Sequence, residues 1–536
     1  MTQTTTAKKH PKGLYLLFFT EMWERFGFYL MLGILYLYMT DSLKGGLGFG
    51  EGTANDIYGT YIALVYLTPF IGGLLADRIF GYRKTILAGG FLMASGYLAL
   101  AIPGETPFYI ALGLIIVGNG LFKPNISTLL GNLYNKEEYV ELKDKGYNIF
   151  YMGINIGAFF CNFVAAWLRN EYGWGYAFAA AGIGMLIGLA IFASKQGILA
   201  EADKIKPVQK EDMSMSRIMM TIFVPAIAFA IFGFFAGKIF GIENIFGSTS
   251  NDTFLFACIP VIYFYANTYR KASAEDKKPV GSLLYIFAVV VVFWAIFHQN
   301  GNVLTAWAEN NTDRDMPTAL TGFSETFSLK QTVTAEADSA GKVHPYLDNL
   351  AQSEWPAAGE EKVLISTELF QSLNPFFVVV FTPLVIAIFS FLVARRRGFS
   401  TPGKIALGLL ITGLSTIVMI FAVKASNNGV EKVSAMWLVG TYAVITFGEL
   451  CLSPMGLSLV SKLSPARLTA VMMGGWFLST SIGNKLAGVL GHMGSDNEDK
   501  SLVFWINLCG ALLCSVLLFI FVKKIRAVVR AKTGHD

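Results

Sequence analysis

SLLYIFAVVVVFWAIF, residues 282–297, carries no charge and no proline or glycine. The run approaches the ~20 residues that a helix needs to cross ~30 Å of hydrocarbon. In lipid every backbone N–H and C=O must be bonded within its own segment, so such a run is read as a spanning helix. The same pattern recurs along the chain. Fourteen spanning candidates are centred near Phe26, Val65, Phe91, Ile115, Ile156, Gly184, Ile227, Val261, Val290, Val379, Leu410, Val444, Leu478 and Leu512. Of 536 residues, 54% are hydrophobic and 15% charged, where soluble domains carry about 25% charged. The fold class is therefore all-α, a polytopic membrane protein.

The net charge of +5 is an orientation signal, not a nucleic-acid footprint. Lys and Arg gather in one alternating set of connections: 6–12, 77–84, the linker at 195–210, 270–279, 394–397, 461–467 and 523–532. The other set is poor in them. Its longest member, residues 301–373, has eleven acidic residues against four basic ones. By the positive-inside bias both termini are cytoplasmic, which an even number of spans permits. The 136–145 stretch is mixed and decides nothing. The 301–373 insert is expected to be a solvated loop, with a cap over an entrance as the alternative. The N-terminus starts like a signal peptide, but Glu21, Glu24 and Arg25 break its apolar stretch, so the first helix is expected to stay. The five cysteines (Cys161, Cys258, Cys451, Cys509 and Cys514) lie in apolar runs without metal spacing and read as small hydrophobes.

Thr68-Pro69 and Thr382-Pro383 each precede a basic loop. They occupy the second span of a six-span half if the spans near Ile227 and Val261 are an inserted pair. Two repeats with a site between them is a transporter design. The expected divisions are a six-helix unit at 1–195, a linker and inserted pair at 196–280, a second six-helix unit at 281–524 with its insert at about 301–373, and a tail at 525–536.

The first span raises a physical problem. Each charge at the bilayer centre costs ~2.5–3.5 kcal/mol on insertion scales. Glu21, Glu24, Arg25 and Phe28 nevertheless share one helical stripe, with Tyr29 beside it. That stripe has to face a polar cavity or partner charges. Arg25 can neutralise one glutamate and leave the other to bind a proton; a structural ion-pair knot is the plainer reading. Lys123, Asn155, His298, Glu449 and Lys485 are further polar groups at membrane depth, each able alone to be a snorkelling helix end. Together, on both halves, they point to a hydrated central cavity. A Lys123–Glu449 pair across the halves could hold one side closed. No P-loop, H-E-x-x-H or G-x-S-x-G signature is present, which disfavours ATP-driven transport and the common membrane hydrolases. An ion gradient remains, at ~2.3 kcal/mol per charge per 100 mV.

Glu21-Met-Trp-Glu24-Arg25-Phe26-Gly-Phe28-Tyr29 resembles the ExxERFxYY signature of the proton-dependent oligopeptide transporter family, within the major facilitator superfamily. Phe150-Tyr151-Met-Gly-Ile154-Asn155-Ile-Gly157 resembles that family's FYxxINxG signature. The stretches Gly118–Asn125, Gly448–Pro454, Trp476–Ser479 and Gly72–Arg78, the last being the superfamily's loop motif, are also similar, in family order. The resemblance implies a major facilitator fold of two six-helix bundles plus an inserted helix pair, fourteen transmembrane helices in all. It implies a bacterial cytoplasmic-membrane protein, not an enzyme, that imports di- and tripeptides with protons by alternating access. No cofactor is implied beyond the proton gradient. Short peptides, protons and membrane lipid are the partners, with no nucleic acid, and a monomer is the superfamily's default. Glu21, Glu24 and Arg25 would couple proton to peptide. Arg25 and Lys123 would meet the peptide carboxylate. Tyr29, Tyr66, Asn155, Trp294, Asn374, Glu449 and Trp476 would line the pocket, Glu449 favouring the amino group. Lys123, Glu449, Asp77 and Arg78 would serve gating.

Three positions depart from the family pattern. Phe28 replaces the first tyrosine, Leu32 stands where Arg is typical, and His298 stands where an acid commonly precedes Gln299. The last two form a matched loss that strands no buried charge. His298 either takes over part of the proton handling, since imidazole titrates near neutrality, or hydrogen-bonds within the gate. Alternative readings are a same-fold transporter of nitrate, an amino acid or a peptide-like drug, an exporter or antiporter, and a membrane enzyme or receptor.

Overall fold

The structure, a computed structural model, describes residues 9–204, 214–316, 322, 329–336, 343–465 and 468–533. Parts of the 195–210 linker, of the acidic insert and of the 461–467 loop lie outside the described residues, as do the first eight. Each of the fourteen expected centres falls inside one long helix. The first six are α1 (Lys12–Thr40), α2 (Glu51–Leu75), α3 (Tyr82–Leu100), α4 (Glu105–Leu133), α5 (Lys143–Tyr172) and α6 (Trp174–Lys195). Two more, α7 (Val224–Phe240) and α8 (Thr249–Arg270), form a hairpin. The last six are α9 (Ala274–Phe297), α10 (Leu373–Ala394), α11 (Thr401–Ala425), α12 (Met436–Leu463), α13 (Thr469–Asp496) and α14 (Leu502–Thr533).

Ten of these are long and apolar enough to cross a membrane by composition alone. Among the other four, α1, α8 and α13 carry polar side chains that the fold buries: Glu21, Glu24, Arg25, Asp252, Asn484 and Lys485. The apolar surface is turned outward instead. On α7, Phe229, Ile231, Phe232, Phe234 and Phe235 are all exposed. A contiguous apolar belt of that kind belongs against lipid.

Helices α1–α6 pack around one core, and α9 and α11–α14 around a second, with α10 packed on α12. The hairpin α7–α8 packs beside the bundles, with α8 touching α2, α9 and α13 and adding Tyr265 to the second core. This is the two-bundle arrangement with an inserted pair that the resemblance implies. The halves meet where α2 packs along α13 and where α5 meets α10. Glycine permits the first approach: a Cβ added to Gly59 would stand 2.6 Å from the Gly488 Cα. With an even number of antiparallel helices, both termini lie at one end, here the terminal end. The opposite end, carrying the insert, is the insert end.

The insert is not the solvated loop expected. Strand β1 (Thr312–Asp313) pairs in parallel with β4 (Val433–Ser434), and β2 (Lys330–Val333) pairs antiparallel with β3 (Lys362–Ile365). Val333, Tyr346, Leu347 and Leu364 make a small core of their own. Arg314 is fully buried, donating to the Gln331 side chain and the Ile365 carbonyl at 2.8 Å each. Its polar composition hid this, because most of its acidic residues do stay exposed while Arg314 and Glu368 are buried and paired. Residues 525–533 also differ from the expected tail, since they continue α14. Ile525 and Val529, one turn apart, stay buried on its face.

Candidate functional site

A cavity of about 360 Å³ lies between the halves, walled by α1, α2, α4 and α5 on one side and α9, α10, α12 and α13 on the other. Its position follows from the sequence. An intramembrane charge has to turn away from lipid, and both halves turn theirs to this shared interface.

The first half contributes a charged stripe from α1. Arg25 donates through Nη2 to Glu24 at 2.7 Å and through Nε to the same carboxylate, while its Nε lies 3.2 Å from Glu21 Oε1. One guanidinium thus serves both glutamates, where the sequence reading gave it one. The other Glu21 oxygen, Oε2, is buried with no hydrogen-bond partner among the described residues, and Glu21 lines the cavity. Glu24 is fully buried behind it. Phe28 and Tyr29 lie against Arg25 at 5.1 and 6.0 Å from its guanidinium carbon. From α4, Lys123 places its ammonium 4.1 Å over the Tyr66 ring of α2. Pro124, inside the helix, follows it. Asn155 of α5 donates back to its own helix at the Tyr151 carbonyl, 2.9 Å away.

The second half supplies the facing wall. Glu449 of α12 accepts from Asn374 of α10 at 3.0 Å, and Asn374 also donates to Thr446 at 2.9 Å. Trp294 and Trp476 close the aromatic side, and the Trp294 indole N–H has no partner among the described residues. His298 follows α9 in a short 3-10 turn. Its Nδ1 lies 3.3 Å from the Trp294 carbonyl, and its ring sits 5.3 Å from both Tyr66 and Trp294.

Every residue expected to line the pocket is in this one cavity: Arg25, Tyr29, Tyr66, Lys123, Asn155, Trp294, Asn374, Glu449 and Trp476. Glu21 and His298 join them. The expected Lys123–Glu449 ion pair is not formed. In this conformation Lys123 rests on Tyr66, and Glu449 spends its carboxylate on Asn374. Asp77 and Arg78 are elsewhere, in a π-helical turn over Ala76–Phe80 at the terminal end, where Asp77 accepts from the Tyr82 hydroxyl. The sequence reading passed over Tyr58, Tyr151 and Tyr442, which also line the cavity. A signal existed for two of them. Tyr151 lies four residues before Asn155 and Tyr442 seven before Glu449, each on the same helical face. Among the described residues no cluster of His, Cys, Asp and Glu could hold a metal, and all five cysteines are free.

A family profile described as the POT family matches residues 83–325 and 359–505. The chain is 36% identical to the uncharacterized transporter YclF of Bacillus subtilis, over 95% of this chain and 94% of that one. It is 33% identical to a di-/tripeptide transporter of Lactococcus lactis subsp. lactis, over 88% and 87% of the two chains. Among solved structures it is similar to a peptide transporter POT in complex with alafosfalin, with 32% identity, a TM-score of 0.75, and 97% and 96% of the chains covered.

Proposed function

The chain belongs to the POT family of transporters, and from that premise we propose that it is a proton-coupled symporter that imports di- and tripeptides by alternating access. The observation that carries this reading is the charge balance of the cavity. Glu21 and Glu449 on the wall, with Glu24 paired to Arg25 behind it, set three carboxylates against two cations, Arg25 and Lys123. One proton brings the site to neutrality. Buried charge without compensation is costly, so an empty or zwitterion-filled cavity changes state most readily with that proton aboard. A peptide is itself a zwitterion. Its carboxylate suits Arg25 and Lys123 on the first half, and its amino group suits Glu449 on the second. Bound so, it draws the halves together. The aromatic walls from Tyr29, Tyr66, Trp294 and Trp476 accept varied side chains, while the two fixed charges set length.

In this reading Glu21, Glu24 and Arg25 carry the coupling. His298 is an accessory titratable group on the wall. Lys123 and Glu449 approach one another when the terminal end closes, and Asp77 and Arg78 act in gating at that end. The protein works as a monomer in the cytoplasmic membrane with both termini cytoplasmic. Two six-helix units divide near residues 195 and 281. Neither a cofactor nor a chemical reaction is required.

The test is uptake of labelled dialanine into proteoliposomes under an inward pH gradient and inside-negative potential. Uptake is expected to collapse with a protonophore, and to fall at least tenfold in Glu21→Gln or Glu24→Gln. Protein that is folded yet takes up no dipeptide would overturn the assignment. A second reading, a same-fold carrier of another small solute, is favoured by one observation: Leu32 and His298 replace a charged pair at the cavity's rim with uncharged wall. Failure of dipeptides to compete against a labelled amino acid, nitrate or peptide-like drug would establish it.

A further inference from the structure

We propose that two ion pairs between the halves, each with one fully buried partner, latch the insert end shut, and that the inserted helix pair is a working part of one of them. The first joins three elements. Lys485 of α13 is fully buried and points its ammonium at Asp56 Oδ1 (2.7 Å), Thr60 Oγ1 (2.5 Å) and Ser250 Oγ (2.7 Å). Asp56 and Thr60 belong to α2, so this pair bridges the halves beside the Gly59–Gly488 contact. Ser250 belongs to α8 of the inserted pair. Its hydroxyl accepts from Lys485 and donates to Asp56 at 2.7 Å. All three ammonium protons are therefore used, each on a different acceptor.

The second pair lies on the other side of the cavity. Arg169, near the end of α5, is 3.0 Å from Glu368, in the 3-10 turn Thr367–Ser372 that leads into α10. Glu368 is fully buried and Arg169 is nearly so. Asn170–Ser366 at 2.7 Å and Asn162–Ser372 at 3.0 Å flank it, also between the halves. Between α1 and α9, nearer the cavity, Leu32 and His298 offer no charge pair to do this work.

Opening the insert end pulls α2 from α13 and α5 from α10, and each separation strands a buried charge until water reaches it. The latches therefore bias the molecule toward closure at this end. Ser250 gives the hairpin α7–α8 a role, since it is bonded to both halves only while they are closed. The inference rests on the alternating-access reading, but its readout is a distance and needs no substrate, so its failure is distinct from failure of the transport assay.

The experiment is double electron–electron resonance on chain reconstituted in nanodiscs. Its five native cysteines are replaced, and spin labels stand at Glu105→Cys and Met436→Cys, exposed positions on opposite halves at the insert end. Lys485→Met and Arg169→Met are each expected to raise the long-distance population severalfold over the parent. Ser250→Ala should raise it about twofold, with the ion pair itself intact. The exchange Asp56→Lys with Lys485→Asp should return it toward the parent. An unchanged distribution in Lys485→Met would overturn the proposal. Should that variant not fold, an unchanged distribution in both Ser250→Ala and Thr60→Ala would overturn it equally.

Discussion

Tyr66 carries more of the site than its place in the sequence indicates. Its ring lies under the Lys123 ammonium and against the His298 imidazole, so it joins α2, α4 and the end of α9. Tyr66→Leu removes a cation–π contact of about 0.5–2 kcal/mol, which corresponds to roughly 2- to 30-fold in apparent affinity. A rise in KM for dialanine within that range, with transport rate little changed, is the expected result. His298 is expected to separate coupling from binding. His298→Gln should retain uptake but shift its pH profile, whereas an unchanged profile would leave the imidazole as wall and hydrogen-bond partner only. At this scale much was legible in advance. Charges at membrane depth have few places to go, so Glu21, Arg25, Lys123 and Glu449 could be placed in one cavity from cost alone, but Lys485, read the same way, lies outside that cavity and pairs with Asp56. Pairing was not legible. It depends on the conformation, which is why Lys123 is found on Tyr66 and Glu449 on Asn374.

Among the elements, the insert departs most from its sequence reading. Its polar composition resembles a solvated loop because Arg314, Gln331 and His344 satisfy one another's neighbours inside a small fold. His344 Nδ1 accepts from the Tyr346 backbone N–H at 3.1 Å, which requires an unprotonated nitrogen. Burial, above all, holds this imidazole down from its ordinary 6.5 to about 4. Between those values the unfolded insert binds a proton that the folded one refuses, so stability falls as pH drops through the window and is regained as it rises. Hydrogen exchange across residues 343–365, corrected for intrinsic rate, should therefore quicken from about pH 7 to about pH 4. His344→Gln should flatten that dependence. The α2–α13 contact gives a second test. Gly59→Val forces side-chain atoms into Gly488, and overpacking of this kind costs ~1–3 kcal/mol. It should loosen the insert end, read as faster reaction of a cysteine at Gln371 with an impermeant maleimide.

For the whole molecule, long apolar runs specified fourteen helices correctly because lipid leaves the backbone no alternative. Burial of the polar residues on α8 and α13 was harder to foresee, since Asp252 and Lys485 look like interruptions until their partners, the hairpin's own backbone and Asp56, are known. The orientation deduced from loop charge has a direct check. In intact cells a cysteine at Glu354 should react with an impermeant maleimide, and one at Lys532 only after lysis. One further consequence concerns synthesis. Strand β1 of the insert finds its partner, β4, only after α10 and α11 have been made, because Thr312 pairs with Val433. A pairing so distant along the chain is slow to form. The nascent insert must therefore wait unfinished while two more helices enter the bilayer. A chain stalled on the ribosome before Val433 should present it as a protease-sensitive segment, and one released just beyond Ser434 as a resistant one.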